Sequence, residues 1–188
     1  MENNLGKPAP ILPPVAATER WLERAVIGLN LCPFAKAVHV KRQIRYAVSD
    51  ATTADGLRVD LQRELEFLAR ADPEAVDTTL LIHPCVLTEF TAYNRFLVAA
   101  DALVSELGLE GVLQIASFHP DYEFADSAPG AIENYSNRSP YPLLHLLREA
   151  SISRAVAAFP DAAAIYGRNI LTLRELGLDG WRALWRDA

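Results

Sequence analysis

Short apolar runs with the composition of strands alternate along this chain with longer amphipathic segments. The runs are RQIRYAV at 42–48, VDTTLLI at 76–82 and VLQIASF at 112–118. Between them, apolar residues recur every three or four positions, which is the spacing of one helix face. This alternation favours right-handed crossovers and a sheet covered by helices. We therefore predict an α/β fold with a small, largely parallel sheet of three strands, or slightly more, and a helical C-terminal part.

Three helices are predicted before the third strand. The first has Thr18 as a candidate N-cap and stops near Pro33, and the third ends where Gly108 can cap it. The apolar faces comprise Trp21, Leu22, Ala25, Val26 and Leu29 in the first helix, Leu57, Leu61, Leu65 and Leu68 in the second, and Phe90, Tyr93, Leu97, Ala100, Val104 and Leu107 in the third.

The length of 188 residues, 51% of them hydrophobic, suits one globular domain, predicted at residues 18–188. Four of the twelve prolines fall within the first 14 residues, so residues 1–17 are expected to form an extended or disordered lead-in. The formal net charge is −6, and no run of basic residues stands out. This balance argues against nucleic acid or an anionic membrane as a partner.

The chain shows neither a secretion signal nor about 18 uninterrupted apolar residues, so we expect a cytoplasmic protein without membrane contact. In that compartment, Cys32 and Cys85 are expected to be free thiols. Trp181 and Trp185 near the C-terminus need cover, and either packing on the core or a homodimer contact would supply it.

The dipeptide His-Pro follows two of the predicted strands, at His83 and His119. If these strands are parallel, both imidazoles lie at the carboxyl edge of the sheet, where open α/β sheets bind ligands. We therefore predict that they are near neighbours in one site. The alternative is a strand terminator used twice, with each imidazole bonded to a loop carbonyl.

A long polar loop, residues 121–138, leads into a predicted helix that begins with Ser139 as N-cap and ends near residue 158. Asn137 and Arg138 precede this helix, whose free amides and dipole would favour an anion. Alternatively, they shape the turn or form a local ion pair.

Within the same predicted helix, His145 and Glu149 share a face, with Arg148 beside them. The pair could bind a metal, or it could act as a base and its orienting carboxylate. An ordinary helix-stabilising hydrogen bond is the alternative. Cys32, at the end of the first helix, is a candidate nucleophile if activated and a structural residue if buried.

Several motifs identify a family resemblance. The segments VIGLNLCPFA, FHPDYEF and NRSPYPLLHLLREAS, together with His-Pro at 83 and YNRFL at 93–97, resemble the bacterial family named domain of unknown function 1415. The resemblance extends over roughly residues 18–175. It implies a family without an established reaction, cofactor or catalytic residue. Cys85 lies outside the family's pattern.

Three functions remain open for this chain. In the first, an enzyme acts on a small anionic substrate at the carboxyl edge, either with zinc or iron or without metal. The other two are a non-catalytic binding module and an interaction protein that docks through residues 120–142. The candidate catalytic residues are His83, His119, His145 and Cys32. The candidate substrate-binding residues are Asn134, Asn137, Arg138, Tyr122 and Arg148, and the candidate metal ligands are His83, His119, His145 and Glu149.

Overall fold

The computed structural model describes residues 13–128, 130–158 and 164–186. Within these ranges the strands are β1 (Ile44–Val48), β2 (Thr78–Ile82), β3 (Leu113–Phe118) and β4 (Leu143–Arg148). The α-helices are α1 (Pro14–Trp21), α2 (Ala35–Val40), α3 (Ala54–Arg70), α4 (Phe90–Glu106), α5 (Glu149–Ala158) and α6 (Ile165–Ala183). A π-helical segment, Leu22–Ile27, continues α1, and a 3₁₀ helix spans Ile132–Ser136.

The four strands form one mixed sheet in the order β1-β2-β4-β3. β1 pairs with β2 in parallel, whereas β4 runs antiparallel to both β2 and β3. The three predicted strands therefore point the same way, and the fourth separates two of them. The α/β class is confirmed. The prediction of a largely parallel sheet was only partly right, because the strand β4 was not identified and it pairs antiparallel with both of its neighbours.

β4 replaces the first part of the helix predicted after Ser139. A short apolar run such as LLHLLR satisfies both a helical and a buried-strand pattern, so periodicity cannot decide between them. The pairing with neighbouring strands favours the strand, because β4 lies between β2 and β3 and supplies hydrogen-bond partners for the backbone groups of both. Only α5, which ends at Ala158, retains the helical character predicted for this region.

The helices α3 and α4 cover one face of the sheet, as their apolar spacing predicts. Leu57, Leu61, Leu65 and Leu68 of α3 are all buried against Tyr93, Phe96 and Leu103 of α4 and Leu144 and Leu146 of β4. Thr53 caps α3 by accepting a hydrogen bond from the Gly56 amide at 3.1 Å. Gly108, just beyond α4, adopts a φ of 67°, the left-handed conformation of a helix-terminating glycine.

The second face is covered by α1, the π-helical segment and α6. Trp21 packs edge-on against Phe118 of β3, with ring centroids 5.3 Å apart. Trp181 of α6 is buried and contacts Tyr135 and Trp185, so this part of the tail packs on the core. None of the helices in the described ranges has the length and apolar character needed to cross a bilayer.

The first helix begins earlier than predicted, at Pro14. Proline is well suited to the first position of a helix, because the backbone amide there would have no partner within the helix. Thr18 therefore lies inside α1, and its hydroxyl donates to the Pro14 carbonyl at 2.8 Å instead of capping the helix. Residues 1–12 of the predicted lead-in lie outside the described residues.

Candidate functional site

His83 and His119 meet around the side chain of Tyr93. Both imidazoles are fully buried, and their ring centroids lie 5.8 Å and 5.1 Å from that of Tyr93. Both histidines therefore contact one residue, Tyr93, at the same end of the sheet. The sequence predicts Tyr93 only as part of the apolar stripe of the third helix, since nothing in its spacing distinguishes it from other core residues.

The Tyr93 hydroxyl joins two strands at this edge. It donates a hydrogen bond to the Leu143 carbonyl at 2.8 Å and accepts one from the Phe118 amide at 3.0 Å. Burial raises the pKa of Tyr93, so the hydroxyl remains protonated and can serve both partners. Tyr93 therefore connects the end of β3 to the start of β4 while separating the two imidazoles.

The hydrogen bonds of His83 determine its tautomer. Its Nδ1 lies 3.0 Å from the Val86 carbonyl, which can only accept, so Nδ1 carries the proton. Its Nε2 is then a bare acceptor. That atom is buried, and it has no hydrogen-bond partner among the described residues.

His119 has the opposite tautomer. Its Nε2 donates to the Leu87 carbonyl at 3.2 Å, and its Nδ1 accepts from the Asp121 amide at 3.0 Å. Both ring nitrogens are therefore engaged. Each histidine does bond a loop carbonyl, as the strand-terminator alternative requires, but only His83 keeps a nitrogen without a partner.

Burial keeps both imidazoles neutral. It lowers the pKa of His83 to about 4, and the nearby His119 acts in the same direction, against the raising effect of the Val86 carbonyl. Burial also lowers the pKa of His119, while the Leu87 carbonyl and the carboxylates of Asp121 and Glu89 oppose that shift. At neutral pH the site therefore contains two uncharged rings.

A depression of about 460 Å³ lies beside Phe90, whose ring contacts His119. Its lining includes the aromatic residues Phe90, Tyr122 and Phe124 and the polar residues Asn94, Glu123 and Ser127. The Phe90 ring lies 5.4 Å from His119 and 5.2 Å from Tyr122, so one ring separates the depression from the nearer histidine. Among the described residues that line it, Glu123 alone is charged.

His145 lies on β4, on the other face of the sheet from His83. Leu144 and Leu146 face the α3 and α4 side, so the alternation of a strand directs His145 away from it, toward Phe118 at 6.1 Å. Its Nε2 donates to the Thr78 hydroxyl at 2.7 Å, and burial lowers its pKa to about 4. His145 is thus not part of the cluster.

The predicted helix face shared by His145 and Glu149 was wrong, because the first belongs to β4 and the second begins α5. Within the described ranges, no group of three or more His, Cys, Asp or Glu side chains is placed to hold a metal ion. The predicted zinc or iron ligands, His83, His119, His145 and Glu149, are therefore not brought together.

The two arginines of the predicted site bond backbone carbonyls. Arg148 is buried, and it donates to the carbonyls of Leu68, Ala71 and Val76 at 2.7, 2.7 and 3.1 Å. It thereby closes the C-terminal end of α3. Arg138 donates from Nε to the Tyr122 carbonyl at 3.3 Å and lies over the Tyr135 ring. The predicted helix N-terminus beside Asn137 and Arg138 was wrong, because the strand β4 follows them, so no helix dipole is available there to bind an anion.

Both candidate asparagines shape the loop between β3 and β4. The buried Asn134 side chain accepts hydrogen bonds from the Phe124 amide at 3.0 Å and the Ser127 hydroxyl at 2.6 Å. The Asn137 side-chain amide donates to the Ser117 carbonyl at 3.1 Å, and the backbone carbonyl of Asn137 accepts a hydrogen bond from the His119 amide. Asn137 therefore extends the edge of β3 and fixes the backbone of His119.

Cys32 packs against the cluster on the second face of the sheet, opposite His83 and His119. Burial raises the pKa of its thiol, opposed by backbone hydrogen bonds, so no activation of a nucleophile is evident there. Cys32 and Cys85 are both free, as predicted.

The fold and the cluster define an α/β protein with a mixed four-stranded sheet between two helical layers and a neutral histidine pair at one sheet edge. The chain belongs to the family described as "Protein of unknown function (DUF1415)", whose model matches residues 14–183. The resemblance seen in the sequence motifs is thus confirmed over most of the chain. No curated protein and no solved structure matched.

Proposed function

We propose that the protein binds a small molecule at the carboxyl ends of β2 and β3, with His83 Nε2 as the hydrogen-bond acceptor. The observation that carries this proposal is that buried, unpartnered nitrogen. An unsatisfied buried polar atom costs about 1–3 kcal/mol. The described residues include other such atoms, such as Tyr46 Oη, Thr79 Oγ1 and Arg148 Nε, but His83 Nε2 is the one that lies at the carboxyl ends of β2 and β3. A ligand with an N–H or O–H group would satisfy the atom.

Binding is better supported than acid–base catalysis. A general base works best with a pKa near the working pH, whereas the pKa of His83 lies at about 4. Such an imidazole accepts a hydrogen bond readily but carries a proton poorly. The low pKa of His83 therefore favours the non-catalytic module over acid–base catalysis by this residue.

The depression beside His119 suggests the character of the ligand. Its volume of about 460 Å³ falls within the usual range of small-molecule sites, roughly 300–1,000 Å³. Tyr122 and Phe124 would supply apolar contact, and Asn94 would supply polar contact. Because Glu123 is the charged residue of this lining, a neutral or cationic ligand fits it better than the anionic one expected from the sequence.

The test is a fragment screen followed by nitrogen NMR on protein with ¹⁵N-labelled histidine. A fragment that donates to His83 Nε2 should shift the resonance of that bare nitrogen, which is distinguishable from a protonated one. His83→Phe preserves a ring beside Tyr93 but removes the acceptor, so it should lose at least tenfold in affinity, the worth of about 1.4 kcal/mol.

The matched control is His145→Phe, the same change on the opposite face of the sheet. It should bind the same fragments with unchanged affinity. The proposal fails if no fragment moves the His83 Nε2 resonance, or if the two variants bind equally well.

A further inference from the structure

The connection between β2 and α4, residues 84–89, lies against both site histidines. His83 donates from Nδ1 to the Val86 carbonyl at 3.0 Å, and His119 donates from Nε2 to the Leu87 carbonyl at 3.2 Å. Two imidazoles from two different strands therefore bond successive carbonyls of one short segment. We infer that residues 84–89 form the lid of the site and that the two histidines latch it; this inference rests on the proposed function.

The lid has an apolar inner side and an exposed outer side. Val86 is buried in the core cluster under α3 and α4, and Leu87 packs against the same cluster. Cys85, Thr88 and Glu89 are exposed. A segment of this kind closes by inserting its apolar side chains, and it can open without exposing buried charge.

The closed lid contains a strained residue. Leu87 has a φ of 55°, in the left-handed region that a branched side chain rarely adopts. The carbonyl of this same residue accepts the hydrogen bond from His119. Opening would relieve the strain, so closure depends on the two latches and on the burial of Val86.

The lid also controls access to the proposed acceptor. His83 is fully buried, so a ligand reaches Nε2 only if the segment beside it moves. Phe90 follows the lid directly and lines the neighbouring depression. Opening at residues 84–89 would also displace Phe90, the ring between the depression and His119, and so extend the depression toward the two histidines.

The experiment measures acylation of His83 by diethyl pyrocarbonate, with mass spectrometry to locate the product. The unprotonated imidazole nitrogen attacks a carbonyl carbon of the reagent and takes up an ethoxycarbonyl group, while the ring loses its N–H proton and ethanol and carbon dioxide leave. If the lid opens locally, the rate at His83 should depend little on urea below the unfolding transition. Val86→Ala removes buried surface that holds the lid shut and should raise this rate about tenfold. Val98→Ala is the matched control, because Val98 is 75% exposed on α4. In this variant, His83 should be acylated at the same rate as in the wild type.

The inference is overturned if acylation of wild-type His83 follows the same urea dependence as global unfolding measured by circular dichroism. It is also overturned if Val86→Ala leaves the rate of acylation at His83 in the absence of urea unchanged. Neither of these two measurements needs a ligand, so a negative result here rejects the lid alone. Failure of the fragment screen, with a local opening still observed, removes the proposed binding function instead.

Discussion

Acidification should destabilise the folded protein through His83. The pKa of this imidazole is about 4 in the fold, against 6.5 for the unperturbed group, because burial penalises the charged form. Between these two values the unfolded chain binds the additional proton. The stabilisation is therefore complete above pH 6.5 and is lost as the pH falls toward 4.

The expected magnitude follows from the width of that window. One pKa unit corresponds to about 1.4 kcal/mol, so the full effect of His83 is about 3 kcal/mol, of which about 2 kcal/mol is lost by pH 5. His145, whose pKa is also about 4, should contribute a similar second component. Together they make unfolding near pH 5 take up about two protons.

Urea denaturation between pH 7.5 and pH 5 measures this effect. His83→Phe and His145→Phe should each reduce the pH-dependent loss of unfolding free energy by about 2 kcal/mol, and the double variant should remove both contributions. The carboxyl groups are common to all four proteins, so their titration cancels in the comparison. If His83→Phe shows the same pH dependence as the wild type, His83 is not held neutral by burial and the reasoning is refuted.

Two further predictions concern residues that tie the sheet to its surroundings. Tyr93→Phe removes the hydroxyl that bonds the Phe118 amide and the Leu143 carbonyl, so it should lower the free energy of unfolding measured in urea by about 1–3 kcal/mol. The control Tyr166→Phe, at an exposed residue, should change this free energy little. Equal effects of the two substitutions would contradict the bridging role of Tyr93. Arg148→Ala removes three hydrogen bonds to backbone carbonyls and should lower the free energy of unfolding by at least about 2 kcal/mol. The control is Arg63→Ala, at an exposed arginine. A loss no larger than that of the control would show that these bonds do not stabilise the end of α3.

The sequence predicted the elements whose patterns are local and unambiguous. Three strands lie within two residues of their predicted bounds, and the four leucines of α3 are buried as their spacing requires. The position of His83 and His119 at the same end of the sheet was also predictable, because each follows a strand and the two strands point the same way. The segment at 143–148 was not predictable, since an apolar run of six residues suits a strand and a helix equally.

The sequence by itself thus determined the α/β class, the family and the edge of the sheet at which the histidine pair lies, because these depend on composition, motifs and short-range periodicity. Only the tertiary structure decided that β4 enters the sheet, that His145 and Cys32 lie on the opposite face, and that Tyr93 separates the imidazoles. It also decided which imidazole nitrogen lacks a partner. Each of these depends on groups far apart in the chain, and hydrogen bonding and burial at such distances leave no periodic signal in the residues.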